Sequence, residues 1–437
     1  MGIPFYYSDL IKKYPDIKIK PSKIDILFFD YNGLIHPVAH DTVCKNTHEN
    51  IFFNLLWKKT MDLVDKVKPN LTKIYIDGVA PLAKINQQRK RRYISEKNTV
   101  WDTNAITCGT PFMIKLVNYI SKKHIYVDTI FNPGEGEHKI IDYIHNDTNF
   151  NNTYMIHGLD ADLILLSLMS NKANNIYLMR EQDNNITYIS IGKIKHYIEL
   201  EWGNIFSPNA DIIKSYCVML SILGNDFIPH LLTLKINNNG INILKNVCNN
   251  TCLISKDNEE TINKDELQII FKKLIYYEDK IMTNKNWRKD YYNNEVYINN
   301  VPLSCSLYLD GIFWTYNYYN KNINKIDHDW YYPFLGPPTI ADIANNIITY
   351  NYKPNFDNTF INMAEQLLTV IPKKSIDILP DNLKKYMLDK SYGLEYIFVS
   401  EFKLIKFLKK FEWEYTPYLP LIDIHHIRNI LTINQDL

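Results

Sequence analysis

The sequence predicts an α/β protein built on a mostly parallel central sheet flanked by helices, with a second segment packed onto it. Three observations carry that expectation. Strand-like runs (IDILFFD, KIYID, IYVDTIF, YMIHGL, IYLMRE) alternate with longer helical patterns over residues 1–235, the signature of a sheet covered on both faces. Acidic residues close or follow nearly every one of those runs. Aromatic density then returns after residue 300 (LYLDGIFWTYNYYN, DWYYPFLGPP), followed by the amphipathic stretches FINMAEQLLTVI and IFVSEFKLIKFLKKF. Between these parts, residues 236–300 are rich in Asn, Lys and Ile and read as a loosely constrained connector with some helix.

Bulk composition narrows the class. A chain of 437 residues with 46% hydrophobic residues can bury a large core or two ordinary ones. Its formal charge of +1 rules out an overall basic field, so any anion-binding surface must be a local cluster offset by acid elsewhere. Six cysteines are scattered singly, and Cys248 and Cys252 lack the second pair that structural zinc requires. Reduced thiols in an intracellular compartment are expected. No apolar stretch is long enough for a membrane span.

Seven acidic residues define the candidate chemistry: Asp30 in FFDYNG, Asp77 in YIDGVA, Glu135 and Glu137 in NPGEGEHK, Asp160 and Asp162 in HGLDADL, and Asp226 in LGNDFIP. In an open α/β sheet the carboxyl ends of the strands line one crevice, so acids placed there converge. Glu-x-Glu and Asp-x-Asp can each turn two carboxylates to one side of an extended backbone. Two carboxylates ~4 Å apart repel by about 4 kcal/mol at an effective dielectric of ~20, which protonation or a hard divalent cation relieves. Mg²⁺ keeps water and phosphate oxygens among its ligands, so several acids suit two ions gripping a phosphodiester. The competing reading is helix N-capping, since acids favour helix N-termini.

Downstream of Asp77, the stretch GVAPLAKINQQRKRRY places Lys84, Gln88, Arg91 and Arg92 at i, i+4, i+7 and i+8 of a helix. Those offsets share one face. Guanidinium, ammonium and amide donors clustered there fit a terminal phosphate monoester. A solvated charged helix, or a nuclear-import patch from Arg89, Lys90, Arg91 and Arg92, is the alternative.

Taken together, these segments resemble the Xrn-type 5′-to-3′ exoribonucleases. MGIPFYYSDLIKKYP resembles the family's opening, and DYNGLIH, DGVAPLAKINQQRKRRY, ITCGTPFM, PGEGEHKIIDYI, GLDADLILL, LMRE and LGNDFIPHL follow in family order. YLDGIFWTYNYY, DWYYPF, EQLLTVIPKKS and WEYTPYLPLID resemble its second conserved region more loosely. The resemblance implies a PIN-like, FEN-like catalytic domain over 1–235, a variable connector over 236–300, and a second conserved region over 301–437 packing on the first. It implies that Asp30, Asp77, Glu135, Glu137, Asp160, Asp162 and Asp226 hold two Mg²⁺ ions, with Mn²⁺ as a substitute. It makes Lys84, Gln88, Arg91 and Arg92 the pocket for a 5′-monophosphate, and His36 and Trp330 the residues that sandwich the terminal bases. Departures are a short segment between Arg92 and Asp102 and Cys108 where the family commonly has Pro. Because the chain ends soon after LPLIDIHHIRNIL, a minimal catalytic core is expected, and the Asn, Ile and Tyr bias fits a compact or viral genome.

The implied activity is Mg²⁺-dependent hydrolysis of single-stranded RNA from a 5′-monophosphate to mononucleotides by two-metal catalysis. The implied setting is decay of decapped mRNA by a cytoplasmic monomer fed by a decapping enzyme, with the basic run leaving nuclear entry open. Two rival readings use the same residues: a 5′ flap structure-specific DNA endonuclease, and a non-catalytic RNA-binding scaffold of the same fold.

Overall fold

The computed structural model describes residues 2–95, 100–182, 185–281, 287–355, 359–407, 409 and 412–434. One sheet contains β1 (Ile26–Asp30), β2 (Leu71–Tyr75), β3 (Tyr126–Asp128), β4 (Tyr154–His157), β5 (Ile176–Gln182) and β6 (Asn185–Ser190). The strands lie in the order β3-β2-β1-β4-β5-β6. The first five are parallel, and β6 returns antiparallel along β5. Every strand-like run read from the sequence is a strand here.

β1 explains the layering. All five residues of ILFFD are buried, as a strand covered on both faces requires. Because successive side chains point to opposite faces, Ile26 and Phe28 enter one core while Leu27 and Phe29 enter the other. β1 pairs with β2 on one side and β4 on the other, with Asp30 opposite Tyr75 and Phe29 opposite His157. The chain therefore reverses its direction of progress across the sheet at β1, which opens a crevice at the carboxyl ends of β1 and β4.

Helices of the first half are α1 (Tyr6–Lys13), α2 (Asn32–Asp41), α3 (Glu49–Val67), α4 (Leu82–Ile94), α5 (Pro111–Ile120), α6 (Gly136–Asn146), α7 (Asp162–Met169), α8 (Ile191–Trp202) and α9 (Ile212–Ser221). Local chemistry fixes their starts. At α5 the Thr110 hydroxyl accepts from the Met113 amide, and Pro111 fills the first turn, where a missing N–H costs nothing.

The second half adds α10 (Gly240–Val247), α11 (Lys264–Ile281), α12 (Trp287–Asp290), α13 (Val301–Asn320), α14 (Ile340–Asn346), α15 (Met363–Val370), α16 (Asp381–Leu388) and α17 (Ile424–Ile433). It divides between the faces. Residues of α10, α11, α13 and α14 join the core beneath Phe28, and those of α15, α16 and α17 join the core beneath Phe29. The expectation of a loose connector over 236–300 needs correction. Leu244 and Val247, and then Leu267, Ile270, Phe271 and Leu274, are buried in the first core. The last four stand at i, i+3, i+4 and i+7, a helical stripe hidden among Asn and Lys. Cys44, Cys108, Cys217, Cys248, Cys252 and Cys305 are free thiols. Among the described residues no helix is long and apolar enough to cross a membrane.

Candidate active site

The seven acids stand where the crevice opens. Asp30 ends β1, Asp77 lies two residues beyond β2, Glu135 and Glu137 sit at the start of α6, Asp160 follows β4, and Asp162 opens α7. Asp30, Asp77, Glu135, Glu137 and Asp160 line one cavity of about 580 Å³. Asp226 faces an adjoining cavity, and both share Leu159 as a wall. Asp162 is buried, and its Oδ1 accepts from the Tyr319 hydroxyl at 3.0 Å.

Two glycines make the crowding feasible. A Cβ on Gly136 would lie 2.9 Å from Asp30 Oδ1 and 3.3 Å from Asp77 Oδ1, so only glycine lets α6 begin between those carboxylates. Gly2 adopts φ +63°, and its amide donates to Asp226 Oδ1 at 3.1 Å. The N-capping reading holds for one acid: Asp77 Oδ1 accepts from the Gly136 amide at 2.7 Å, capping α6 from the loop that follows β2. It fails for Glu135, whose side chain makes no capping bond although it occupies the N-cap position. Its Oε2 accepts from the Tyr318 hydroxyl at 2.7 Å instead.

Lys84 is the main cation inside this centre. Its Nζ is 2.9 Å from Asp226 Oδ2 and 3.2 Å from Glu135 Oε1, and the side chain is 6% exposed. Burial alone would lower its pKa, but Asp226 and Glu135 outweigh that and hold the ammonium well above its usual range. One lysine does not neutralise the set. Burial, reinforced by the neighbouring Asp77, raises Asp30 well above the carboxylate range. Burial and then Glu135 raise Asp77 to about 6, and burial and then Asp226 raise Asp162 to about 7. Burial likewise pushes Glu137 well up. Asp226 and Asp160 go the other way: burial is outweighed by Lys84 at Asp226, and by cations including Lys84 and Arg91 at Asp160, which falls to about 2.

This donor set fits hard divalent cations. Glu137 Oε2 is buried with no hydrogen-bond partner among the described residues, an acceptor aimed at nothing the chain supplies. Four carboxyls raised by burial and mutual repulsion mark negative charge in excess of the protein's own cations. Among the described residues no three of these side chains already stand as a closed metal-ligand set. Glu135 and Asp226 close on Lys84 instead.

The same cavity also has a basic lining. Gln88, Arg91 and Arg92 form it with His36, while Ser95, Thr103, Asn104 and Thr107 extend the polar surface. Arg91 is exposed, and Arg92 donates to Thr107 Oγ1. Enclosure, then Arg91, lowers the Arg92 guanidinium to about 9, so it remains a cation at neutral pH. The His36 ring is open to the cavity, yet the surrounding walls, then Arg91 and Arg92, push its pKa down to about 4. It presents a neutral ring.

Three placements differ from those the sequence implies. Lys84 lines the same cavity as Arg91 but is engaged by the acidic centre, because it lies a turn nearer the sheet than Gln88. Arg89 is no part of a solvated patch: it is 1% exposed and donates to the carbonyls of Pro420 at 2.6 Å and Ile397 at 3.0 Å. Trp330 is absent from the described residues lining the cavity. Its ring stacks on Trp314 at 5.2 Å and packs against the first core. Sequence reading also missed Gly2, Gly136, Tyr318 and Tyr319. PGEGEHK contained the Gly136 signal, whereas the tyrosines lay in an aromatic-rich helix that reads simply as core.

Comparison with known proteins follows the same division of the chain. A family model described as XRN 5'-3' exonuclease N-terminus matches residues 1–100 and 94–182. One described as Xrn1 helical domain matches residues 209–302 and 282–437. The human protein named 5'-3' exoribonuclease 1 is 24% identical over 576 aligned residues, covering 97% of this chain and 33% of that protein. Its Saccharomyces cerevisiae namesake is 31% identical over 312 residues, 56% of this chain and 20% of that one. The chain thus spans a third or less of the length of these two relatives. Among solved structures, a T5 5'-exonuclease with bound zinc ions overlaps at TM-score 0.37, 13% identity, 58% of this chain and 89% of that one. The catalytic core of Rad2 with a DNA substrate overlaps at 0.42, 15% identity, 83% and 99%. The helical-domain match alone covers more than half of the sequence, and with it the chain belongs to the Xrn 5′-3′ exonuclease family.

Proposed function

We propose that this protein is a Mg²⁺-dependent 5′-to-3′ exoribonuclease that takes single-stranded RNA by a 5′-monophosphate and releases mononucleotides. The observation that carries the reading is a single cavity lined both by Asp30, Asp77, Glu135, Glu137 and Asp160 and by Gln88, Arg91, Arg92 and His36. The basic lining receives the terminal phosphate through charge-assisted bonds, the neutral His36 ring stacks on the first base, and the scissile phosphate then falls against the acids. Two metal ions held by the seven carboxylates would supply the activated water and neutralise the leaving 3′ oxygen. Lys84 releases Glu135 and Asp226 for that role and keeps a positive charge beside the scissile group.

Hydrolysis breaks the bond from phosphorus to the 3′ oxygen of the first nucleotide, and water supplies the hydroxyl that stays on the new terminal phosphate. Each shortened RNA is therefore again a 5′-monophosphate substrate. Transcripts whose caps have been removed, or that have been cleaved internally, provide such ends, so decay of such RNAs in the cytoplasm is the setting we propose. The test is to incubate the protein and Mg²⁺ with RNAs bearing 5′-hydroxyl, monophosphate, triphosphate or cap, alongside matched DNA and a 5′ flap. The reading requires strong preference for monophosphorylated RNA and mononucleotide products from the 5′ end. Preferential cutting of the DNA flap would replace it with the endonuclease reading.

A further inference from the structure

The aromatic run of α13 reaches the acidic centre from the far half of the chain. Tyr318 Oη donates to Glu135 Oε2 at 2.7 Å, and Tyr319 Oη donates to Asp162 Oδ1 at 3.0 Å. Both rings are buried. Tyr318 is stacked on Trp314 at 5.1 Å, and Phe227, the residue after Asp226, packs edge-on against both rings at 4.8 Å. The hydroxyls are thus fixed by packing rather than by chance rotamers. Glu135 is then bound on both oxygens, by Tyr318 at Oε2 and by Lys84 at Oε1. The Tyr318 contact ties Oε2 to α13 independently of the Lys84 contact at Oε1.

We infer that Tyr318 and Tyr319 are positioning residues that pre-set Glu135 and Asp162 as metal ligands, so that the second half of the chain determines the affinity of the metal centre in the first. This rests on the carboxylates being metal ligands, as proposed above. A carboxylate held by a fixed donor loses little rotamer freedom on binding, and removing such outer partners commonly weakens metal affinity by ~10- to 100-fold. Replacing Tyr by Phe keeps the ring and removes only the donor.

The test is Mn²⁺ binding to the full metal-free chain without RNA, read by the electron paramagnetic resonance signal of free Mn²⁺. It compares wild type, Tyr318→Phe/Tyr319→Phe, Glu135→Gln and Asp162→Asn. The expected result is at least ~10-fold weaker binding by the double Phe variant. Its metal-free fold should persist with at most a modest fall in Tm from the two lost hydrogen bonds, and its hydrolysis of monophosphorylated RNA should be restored by raising Mg²⁺. Wild-type Mn²⁺ affinity in the double Phe variant, with loss in Glu135→Gln, would overturn the positioning role and leave the metal assignment standing. Wild-type affinity in Glu135→Gln and Asp162→Asn alike would remove the assignment itself. A large fall in metal-free Tm together with Mg²⁺-insensitive loss of activity would overturn the inference in favour of plain packing.

Discussion

The acidic and the basic linings of the central cavity are built on opposite terms. The acidic lining is mostly buried and tied down: Asp77 caps α6, Glu135 accepts from Tyr318, and Lys84 ties Glu135 to Asp226 of the adjoining cavity. The basic lining is open, with Arg91 and His36 exposed to the cavity they line. Burying like charges destabilises the fold unless a cation arrives, so the acids need precise support from several elements at once. A phosphate pocket needs the reverse, since donors already satisfied by the protein have nothing left for the ligand. The difference teaches where sensitivity should lie: small changes in the acidic lining should act on catalysis and metal binding, and changes in the basic lining on which RNA ends are chosen.

The strongest way to break the comparison is to delete a carboxylate from the acidic lining. Glu135→Ala should abolish degradation in Mg²⁺, a loss of orders of magnitude, while RNA binding measured by filter retention persists. Near-normal turnover would remove Glu135 from the metal centre. Trp330→Ala comes next, and it acts on the fold. Losing a ring stacked on Trp314 should cost on the order of 2–4 kcal/mol of stability, seen as a lowered Tm. Unchanged Tm with weakened RNA binding would return Trp330 to base stacking. His36→Ala should raise Kd by the equivalent of ~1–3 kcal/mol, evenly over all four terminal bases. A strong base preference in that loss would point to edge recognition instead.

The smallest effect concerns pH. Asp77 at about 6 and Asp162 at about 7 bind protons in the metal-free fold that they would release when unfolded. The folded state then carries more protons than the unfolded one between the ordinary carboxylate range and pH 7, so these two groups subtract stability as pH rises through that window. Metal binding must expel the same protons. The rise in Tm on adding Mg²⁺ should therefore grow from pH 5.5 to 7.5, and Asp162→Asn should raise the Tm in EDTA at pH 7.5. A Mg²⁺ effect independent of pH would show that neither group is a ligand.

Much of this was legible because strand ends are legible. ILFFD and YMIH announce buried parallel strands, and the acids that follow them have nowhere to go but the shared crevice. Three features were hidden for physical reasons. Lys84 shares a helical face with Arg91, but periodicity gives direction around the axis and not distance from the sheet, so its engagement by Asp226 could not be read. Tyr318 and Tyr319 donate from a helix whose face is aromatic throughout, and a hydroxyl on one ring looks like any other in a chain with 32 tyrosines. The stripe of Leu267, Ile270, Phe271 and Leu274 was masked by the Asn- and Lys-rich composition around it.

End selection tests the account most directly, because a generic metal nuclease would share the acidic lining but not the basic one. Wild type and Arg91→Ala/Arg92→Ala should be compared on 5′-monophosphorylated and 5′-hydroxyl RNA of one sequence at saturating Mg²⁺. Hydrogen bonds to charged groups contribute roughly 1.5–3 kcal/mol each, so losing two should reduce kcat/KM on the monophosphate by orders of magnitude. Cleavage of the hydroxyl RNA, already slow, should barely change. An equal loss on both RNAs would contradict the phosphate pocket and leave Arg91 and Arg92 as a nonspecific contact to the RNA backbone.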